Sequence, residues 1–561
     1  MIERSIIRLC KDLGCCDACC VRYLGLKNPS SYENVHQFVQ KYLDKDTNSQ
    51  SQTLGNEGHA DPDPNLLKET SADRDNSPVD INTAQPNNGA SESQTIDTKT
   101  EVDVGTSSIP PAKRMKMDDV CVTCLGILQE KTWPEAFAMV QDVLEKKRYE
   151  CETIACALSS PIAAILRERA VSLHLEQACP GYEQKSLMPL KEAWKWLFGR
   201  KLADIVGKRL DSGAVAPLLV TLNVEYPDDG QELEVVRALA PALFESRSKQ
   251  RRRFSVEFTR RSVEQALGGA TAGAMAAAGW RAPPRPAARA RPVSAAAWHA
   301  PLLLGGRYVK LSRALPQTPW LVAGRRMMHS SVQEIIFEPV AAAYGLSPEE
   351  GEQRLKLISA GREDVDVRCL GTGRPFALEI ADPRRTPDAE ELQRVCERIS
   401  AERKVIVRTL MPITREDLTL LKQGEQTKCK TYEALCVKLG ADGAPATVTP
   451  LDLANINAYR NTPEGDAARV RLLQRTPLRV LHRRPLHARR RALLALHARA
   501  VPRRPALFAL RVRAEAGTYV KEWAHGELRR TRPALADALG ARADILALDV
   551  ADVDLPWPPN Q

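Results

Sequence analysis

Two stretches of this chain cannot build a core, and they dictate how the rest must be divided. Residues 44–119 are dominated by Asp, Asn, Ser, Thr, Gln and Pro and contain no Phe, Trp or Tyr. Such a sequence buries too little apolar surface to offset the entropy lost on ordering, so a disordered insert is expected. Residues 264–303 are rich in Ala, Pro, Arg and Gly and read as a low-complexity linker. The foldable remainder is 1–43, 120–263 and 304–555. At 561 residues the chain is too long for one core. The first two pieces are expected to form one accessory domain around the insert, and the third a larger domain.

Charge narrows the partner. The formal balance is +10, and between Arg469 and Arg504 there are twelve Arg and no Asp or Glu. A run this one-sided favours a polyanion, and with no membrane-spanning segment in the sequence that means nucleic acid rather than lipid. The start, Met1 to Arg4, lacks the apolar core of a secretory signal. The fourteen Cys are therefore expected as reduced thiols or metal ligands rather than a disulfide framework. Cys16 with Cys19 and Cys121 with Cys124 form two CxxC pairs. Thiolates three apart in a tight knuckle converge on one ion, so the two pairs are expected to make a structural zinc site, the insert looping out between them. Chance cysteines or a redox role are the alternatives, and the adjacent Cys15 and Cys20 leave the register open. A basic cluster at Pro110–Lys116 resembles a nuclear import signal, which places the protein in the nucleus and/or cytoplasm.

The expected fold class is α+β. Pro134–Lys147 and Lys191–Leu210 read as helices, and Leu218–Val224 and Phe254–Phe258 as strands. Beyond Gly305, strands are expected at Phe376–Ile380, Lys404–Leu410, Lys428–Val437, Phe508–Val512 and Ile545–Val550. Helices are expected near Val332–Ala343, Pro387–Ile399 and Tyr519–Leu528.

The densest chemistry lies in Gly361–Arg368, which carries two Arg, a Glu and two Asp and runs into the Leu370–Phe376 turn. Charge packed beside glycines suits a loop that aims a carboxylate at a polar or polyanionic substrate; structural ion pairs give the same pattern. Gly306–Arg313, followed by Gln317–Trp320, alternates basic groups with an aromatic and a hydroxyl, as a strand would present to a phosphate backbone. In Lys428–Leu435, Tyr432 follows two lysines, a platform on which a base could stack. In Gly517–Trp523, Tyr519 and Lys521 share a side if the segment is extended.

Taken together these segments, with Ser330–Val340 and Ala516–Thr531, resemble a pseudouridine synthase, and among those the Pus-ten family of archaea and eukaryotes. The resemblance covers almost the whole chain. It implies a catalytic domain with a mixed sheet and a central cleft, preceded by a zinc-containing, THUMP-like RNA-binding domain. The implied activity is isomerisation of uridine to pseudouridine in the T-arm of tRNA, at positions 54 and/or 55, by a monomer that needs no catalytic cofactor. By motif, Asp364 rather than Asp366 is the catalytic aspartate, and Tyr432 is the aromatic that stacks on the target base. Lys521 is the basic residue that pairs with the catalytic carboxylate, Tyr519 lines the same pocket, and Arg362 holds the flipped nucleotide's phosphate. The chain departs from the family at Glu527–Pro533, where Arg529 stands in place of a Gly. The competing reading is an RNA-binding adaptor without chemistry, which would have no need to keep Asp364, Tyr432 and Lys521 together.

Overall fold

The computed structural model describes residues 2–44, 119–183, 187–211, 216–249, 256–482 and 484–559. The expected insert, apart from its two ends, and the Pro110–Lys116 cluster lie outside the described residues. The chain divides into two compact units, the first made of residues 1–126, 163–188 and 230–289 and the second of 127–162, 189–229 and 290–561.

The first unit is helical. Helix Ile2–Asp12 buries Ile6, Ile7 and Cys10, a stripe at helical spacing, and helices Asp17–Tyr23, Val35–Leu43, Ala163–Ala178, Pro241–Lys249 and Arg260–Gly268 complete most of the rest. Two arginines are fully covered in this core, Arg22 and Arg167. A buried guanidinium is tolerated only when paired and hydrogen-bonded. Arg167 pairs with Glu232 and donates to the carbonyls of Val122 and Pro284 at 2.8 and 2.9 Å. Arg22 pairs with Glu168 and donates to Met188 O at 2.9 Å.

The second unit carries the sheets. A small sheet is formed by β1 (Thr153–Ser159), β2 (Arg209–Leu210), β3 (Leu218–Glu225) and β4 (Arg291–His299) in the order β2-β1-β3-β4, parallel across β1 and antiparallel at β4. Helix Pro134–Lys147, which starts with Pro at its first turn and buries Ala136 and Val140, belongs to the same unit. The large sheet begins with β5 (Leu302–Lys310). The hairpin β6 (Leu321–Val322) and β7 (Arg325–Arg326) follows separately. The large sheet then continues through β8 (Leu355–Ser359), β9 (Arg368–Ile380), β10 (Val405–Pro412), β11 (Lys430–Leu439), β12 (Val470–Arg475), β13 (Ala488–Ala500), β14 (Leu507–Ala514), β15 (Thr531–Arg532) and β16 (Arg542–Val553). Its order is β10-β5-β9-β16-β11-β14-β13-β12-β15, with β8 added to β9. The architecture is mixed α/β with mixed sheets.

Within the described residues of this large sheet every ladder is antiparallel except β9 with β16, which pair in parallel over Arg368–Asp549 and Cys369–Val550. That short joint divides the sheet into two halves with separate cores. Leu304, Tyr308, Ile336, Phe376 and Val405 fill one core; Leu472, Leu493, Phe508, Val512, Trp523 and Leu535 fill the other. Gly371 makes the joint passable: its φ is +60°, and a Cβ there would sit 2.1 Å from Ala551 O.

Three expectations are corrected. Residues 264–303 are not a bare linker, since they hold the end of helix Arg260–Gly268, helix Ala272–Ala277, strand β4 and the start of β5. Alanines hide the period of β4, and its partner edge on β3 specifies it. No strand covers Val256–Phe258; Thr259 instead caps the following helix, exchanging hydrogen bonds with Ser262. The helix expected to Leu210 stops at Val206, and Arg209–Leu210 is a strand.

Candidate active site

The acidic loop 361–367 connects β8 to β9, so it lies at the parallel joint. Its backbone carbonyls are taken by side chains from elsewhere in the unit. Lys310, fully buried at the end of β5, donates to Leu315 O, Asp364 O and Val365 O at 2.7, 3.0 and 2.9 Å. Arg313 donates to Asp366 O at 2.9 Å and pairs with Asp549 at 2.6 Å. Gln317 donates to Gly361 O at 3.0 Å, and Lys428 bonds Ala360 O. Gly361, at φ +89°, starts the loop where a Cβ would press on the Arg374 and Lys430 cations at 3.3 and 3.4 Å. Beneath the loop, Glu363 and Arg374 form an ion pair at 2.6 Å whose side chains are both 0 % exposed. The Tyr308 hydroxyl donates to the same carboxylate at 2.9 Å. Burial first, and then the Glu363 charge, pushes the Tyr308 phenol well above its ordinary range.

With its backbone fixed, the loop turns Asp364 outward, its side chain one-third exposed at 33 %. Asp364 Oδ1 accepts from Arg479 Nη1 at 3.0 Å, and its Oδ2 lies 3.7 Å from Lys521 Nζ. Lys521 donates instead to both oxygens of Asp366, at 2.8 and 2.7 Å. Burial alone would raise the Asp366 carboxyl, but the Lys521 hydrogen bond and charge outweigh it and hold the group below its ordinary value. Tyr432, on β11, is almost fully buried, and burial pushes its phenol up to about 12, with Asp364's charge a lesser cause. Tyr519 precedes helix Val520–His525, held by Gln474, which accepts from its N–H at 3.0 Å and donates to its carbonyl at 2.9 Å. The segment is helical rather than extended, so Tyr519 and Lys521 do not share a strand face. Arg362 is exposed and donates to Thr318 Oγ1 at 2.9 Å.

The structure therefore brings Asp364 and Lys521 to one place, while Tyr432 lies almost fully buried on β11. Lys521 belongs first to Asp366. Residues 306–313 do not offer their basic groups to a phosphate backbone, because β5 is interior, between β10 and β9. Arg307 is spent on Thr372, Gly373, Val553 and Leu555, and Lys310 on the loop. Sequence reasoning missed Arg479, which is hidden within the Arg-rich run, and Glu522, which accepts from Arg479 Nε at 2.6 Å. Only the position of Glu522 beside Lys521 could have drawn attention to it.

In the first unit, Cys16, Cys19, Cys121 and Cys124 bring their sulfurs within 4.8 Å of one another and could hold a metal ion. Cys16 Sγ and Cys124 Sγ are 3.8 Å apart, close to the edge of a tetrahedron with metal–sulfur bonds of about 2.3 Å. The set fits a cationic metal: Cys121 Sγ accepts the Cys16 N–H at 3.2 Å, and the Arg22 guanidinium lies 3.7 Å from Cys19 Sγ. Cys15 Sγ meets Thr123 Oγ1 at 3.2 Å, and the four sulfurs that converge are those of the two CxxC pairs.

Comparison with known proteins bears on both units. Residues 303–554 match the family described as "Pus10, C-terminal", and residues 121–293 the family described as "Eukaryotic Pus10, N-terminal". The "tRNA pseudouridine synthase Pus10" of Xenopus laevis is 30% identical over 99% of this chain and 98% of its own length. The protein so named in Mus musculus gives the same identity and coverage. That of Methanothermobacter marburgensis is 37% identical over 41% of this chain and 51% of its own.

Proposed function

Since the chain belongs to the Pus10 family, we propose that it is a tRNA pseudouridine synthase, an isomerase, that acts on T-arm uridines 54 and/or 55 with Asp364 as the catalytic aspartate. The observation that carries the assignment is the Asp364 carboxylate itself, partly open, beside two cations, on a loop whose backbone is tied down. A uracil stacked in folded RNA is out of reach of that carboxylate, so the nucleotide must be flipped out at a cost of a few kcal/mol. Stacking on Tyr432 would return about 1–3 kcal/mol of it. Asp364, ionised, acts as nucleophile or base while the N1–C1′ bond breaks. The uracil turns, C5 bonds to C1′, the C5 proton leaves and N1 regains one, so the atoms balance without a cofactor. The cations beside Asp364 complement its carboxylate, Arg479 by a direct hydrogen bond at 3.0 Å.

The finer parts of the reading rest on the family resemblance. The accessory region expected over 1–43 and 120–263, whose segments are divided between the two compact units, is THUMP-like and grips tRNA, the four cysteines hold a structural zinc, Tyr519 lines the pocket, and Arg362 meets the nucleotide's phosphate. The protein works as a monomer in the nucleus and/or cytoplasm. The test is a T-arm transcript incubated with purified protein, with pseudouridine mapped by carbodiimide adduct and primer stop. A stop at a T-arm uridine that disappears in Asp364→Asn, with tRNA affinity kept within a few-fold, is the expected result. Binding without a stop would favour the adaptor.

A further inference from the structure

We propose that Arg479 is the positioning residue for the Asp364 carboxylate and that buried Glu522 holds Arg479 in place; the inference rests on the reading of Asp364 as the catalytic group. Arg479 sits on the short turn Leu478–Val480 that follows β12, and its guanidinium bridges two carboxylates. Nη1 donates to Asp364 Oδ1 at 3.0 Å and Nε to Glu522 Oε1 at 2.6 Å. Lys521 stands 3.7 Å from Asp364, beyond hydrogen-bond reach, and is engaged by Asp366 at 2.7 Å. The close partner of Asp364 is therefore the arginine.

The residue types suit that division. A guanidinium presents donors in a rigid planar fork, so anchoring one edge fixes the direction of the other, which an ammonium on a flexible stem does not do. The anchor is a carboxylate whose side chain is 3 % exposed, on helix Val520–His525 directly after Lys521. Burying a charge is costly unless it is paired, and Glu522 Oε2 has no hydrogen-bond partner among the described residues. The Arg479 contact is thus what compensates the burial of Glu522, and the pair holds together on that account. Asp364 is partly open to solvent, and a carboxylate there turns freely about its own side-chain bonds unless a donor fixes it. Arg479 orients Asp364, while Lys521 keeps Asp366 to itself.

The competing role for Arg479, 40 % exposed and within an Arg-rich run, is a direct phosphate contact. Single-turnover rate and tRNA dissociation constant, measured on the full chain with a T-arm transcript, separate the two. Arg479→Ala is expected to lower the rate constant about 10²-fold, the scale of a misplaced reacting group, with the dissociation constant changed by less than a few-fold. Added guanidinium ion is expected to restore part of that rate and to do nothing for Asp364→Asn. Glu522→Gln is expected to act in the same direction, with no further loss in the double variant. An unchanged rate in Arg479→Ala beside an inactive Asp364→Asn overturns the proposal, as does a loss carried wholly by affinity. A fully active Asp364→Asn overturns the premise instead. Should Arg479→Ala fail to fold by circular dichroism, Arg479→Lys decides, since it keeps the charge and removes the fork: a slowed folded variant supports the proposal and an unimpaired one refutes it.

Discussion

Glu363 and Asp364 are neighbours with opposite fates. Asp364 faces solvent and two cations, whereas Glu363 points down into a site with no exposure and meets Arg374 and Tyr308. Composition marks both as charged loop residues, and only the folded loop separates them, with the Glu363 side chain covered and that of Asp364 one-third exposed. The buried pair sets a stability cost that the exposed one does not. Glu363→Ala leaves the Arg374 guanidinium buried without its counter-charge, and breaking such a pair costs about 3–5 kcal/mol. Urea unfolding should show that loss, and a double variant Glu363→Gln with Arg374→Met should lose less than Glu363→Ala alone. Equal losses would mean the pair contributes shape rather than charge compensation.

At the scale of elements, the turn after helix Val520–His525 carries an unusual backbone. Glu527, Leu528 and Arg529 have φ of +41°, +55° and +65°, three consecutive residues with side chains in the left-handed region. Each such residue is disfavoured by roughly 1–2 kcal/mol relative to the right-handed form, and Gly is not. The Arg529 position, where the family resemblance leads one to expect Gly, is thus a strained site rather than a neutral substitution. Arg529→Gly should raise thermal stability by up to about 1 kcal/mol, part of the relief being offset by the greater unfolded-state freedom of Gly. A lower melting temperature in that variant would mean the Arg529 side chain contributes more than its backbone costs. The turn follows directly on the helix that bears Lys521 and Glu522, so relief of strain there also tests whether the helix is held by its own packing.

Over the whole molecule, the Arg-rich run does not act as one surface. Arg469 is committed to the carbonyls of Asn457 and Tyr459, and Arg479 to Asp364 and Glu522. Arg475 on β12 and Arg489, Arg490 and Arg499 on β13 are exposed. If they meet RNA phosphates, replacing Arg489, Arg490 and Arg499 by Glu should weaken tRNA binding. It should also flatten the dependence of affinity on salt, by about one unit of slope for each phosphate no longer neutralised. An unchanged slope would remove that face from the RNA interface. In the other unit, elemental analysis should find about one zinc per chain, because four thiolates close one tetrahedral site. Cys121→Ser or prolonged chelation should lower the unfolding temperature, since metal binding energy is folding energy at such a site; a metal-free protein of full stability would sink the assignment.

Sequence alone determined what depends on local chemistry. The CxxC spacing was legible because ligand convergence is a short-range property, and the four sulfurs do meet. Five strands and three helices beyond Gly305 were legible because their apolar spacing is regular, as in Val332–Ala343, which the structure matches residue for residue, whereas strands such as β12 and β13 in the Arg-rich run were not. The alanine-rich β4 was not, because a strand of small residues takes its conformation from the neighbour it pairs with. Nor was the interior place of β5, whose lysine and arginine look like surface groups until the carbonyls they bond are brought to them from distant parts of the chain. Only the tertiary structure decided that Arg479 stands against Asp364, 115 positions away. Such a pairing is made by sheet order and register, which no local pattern encodes.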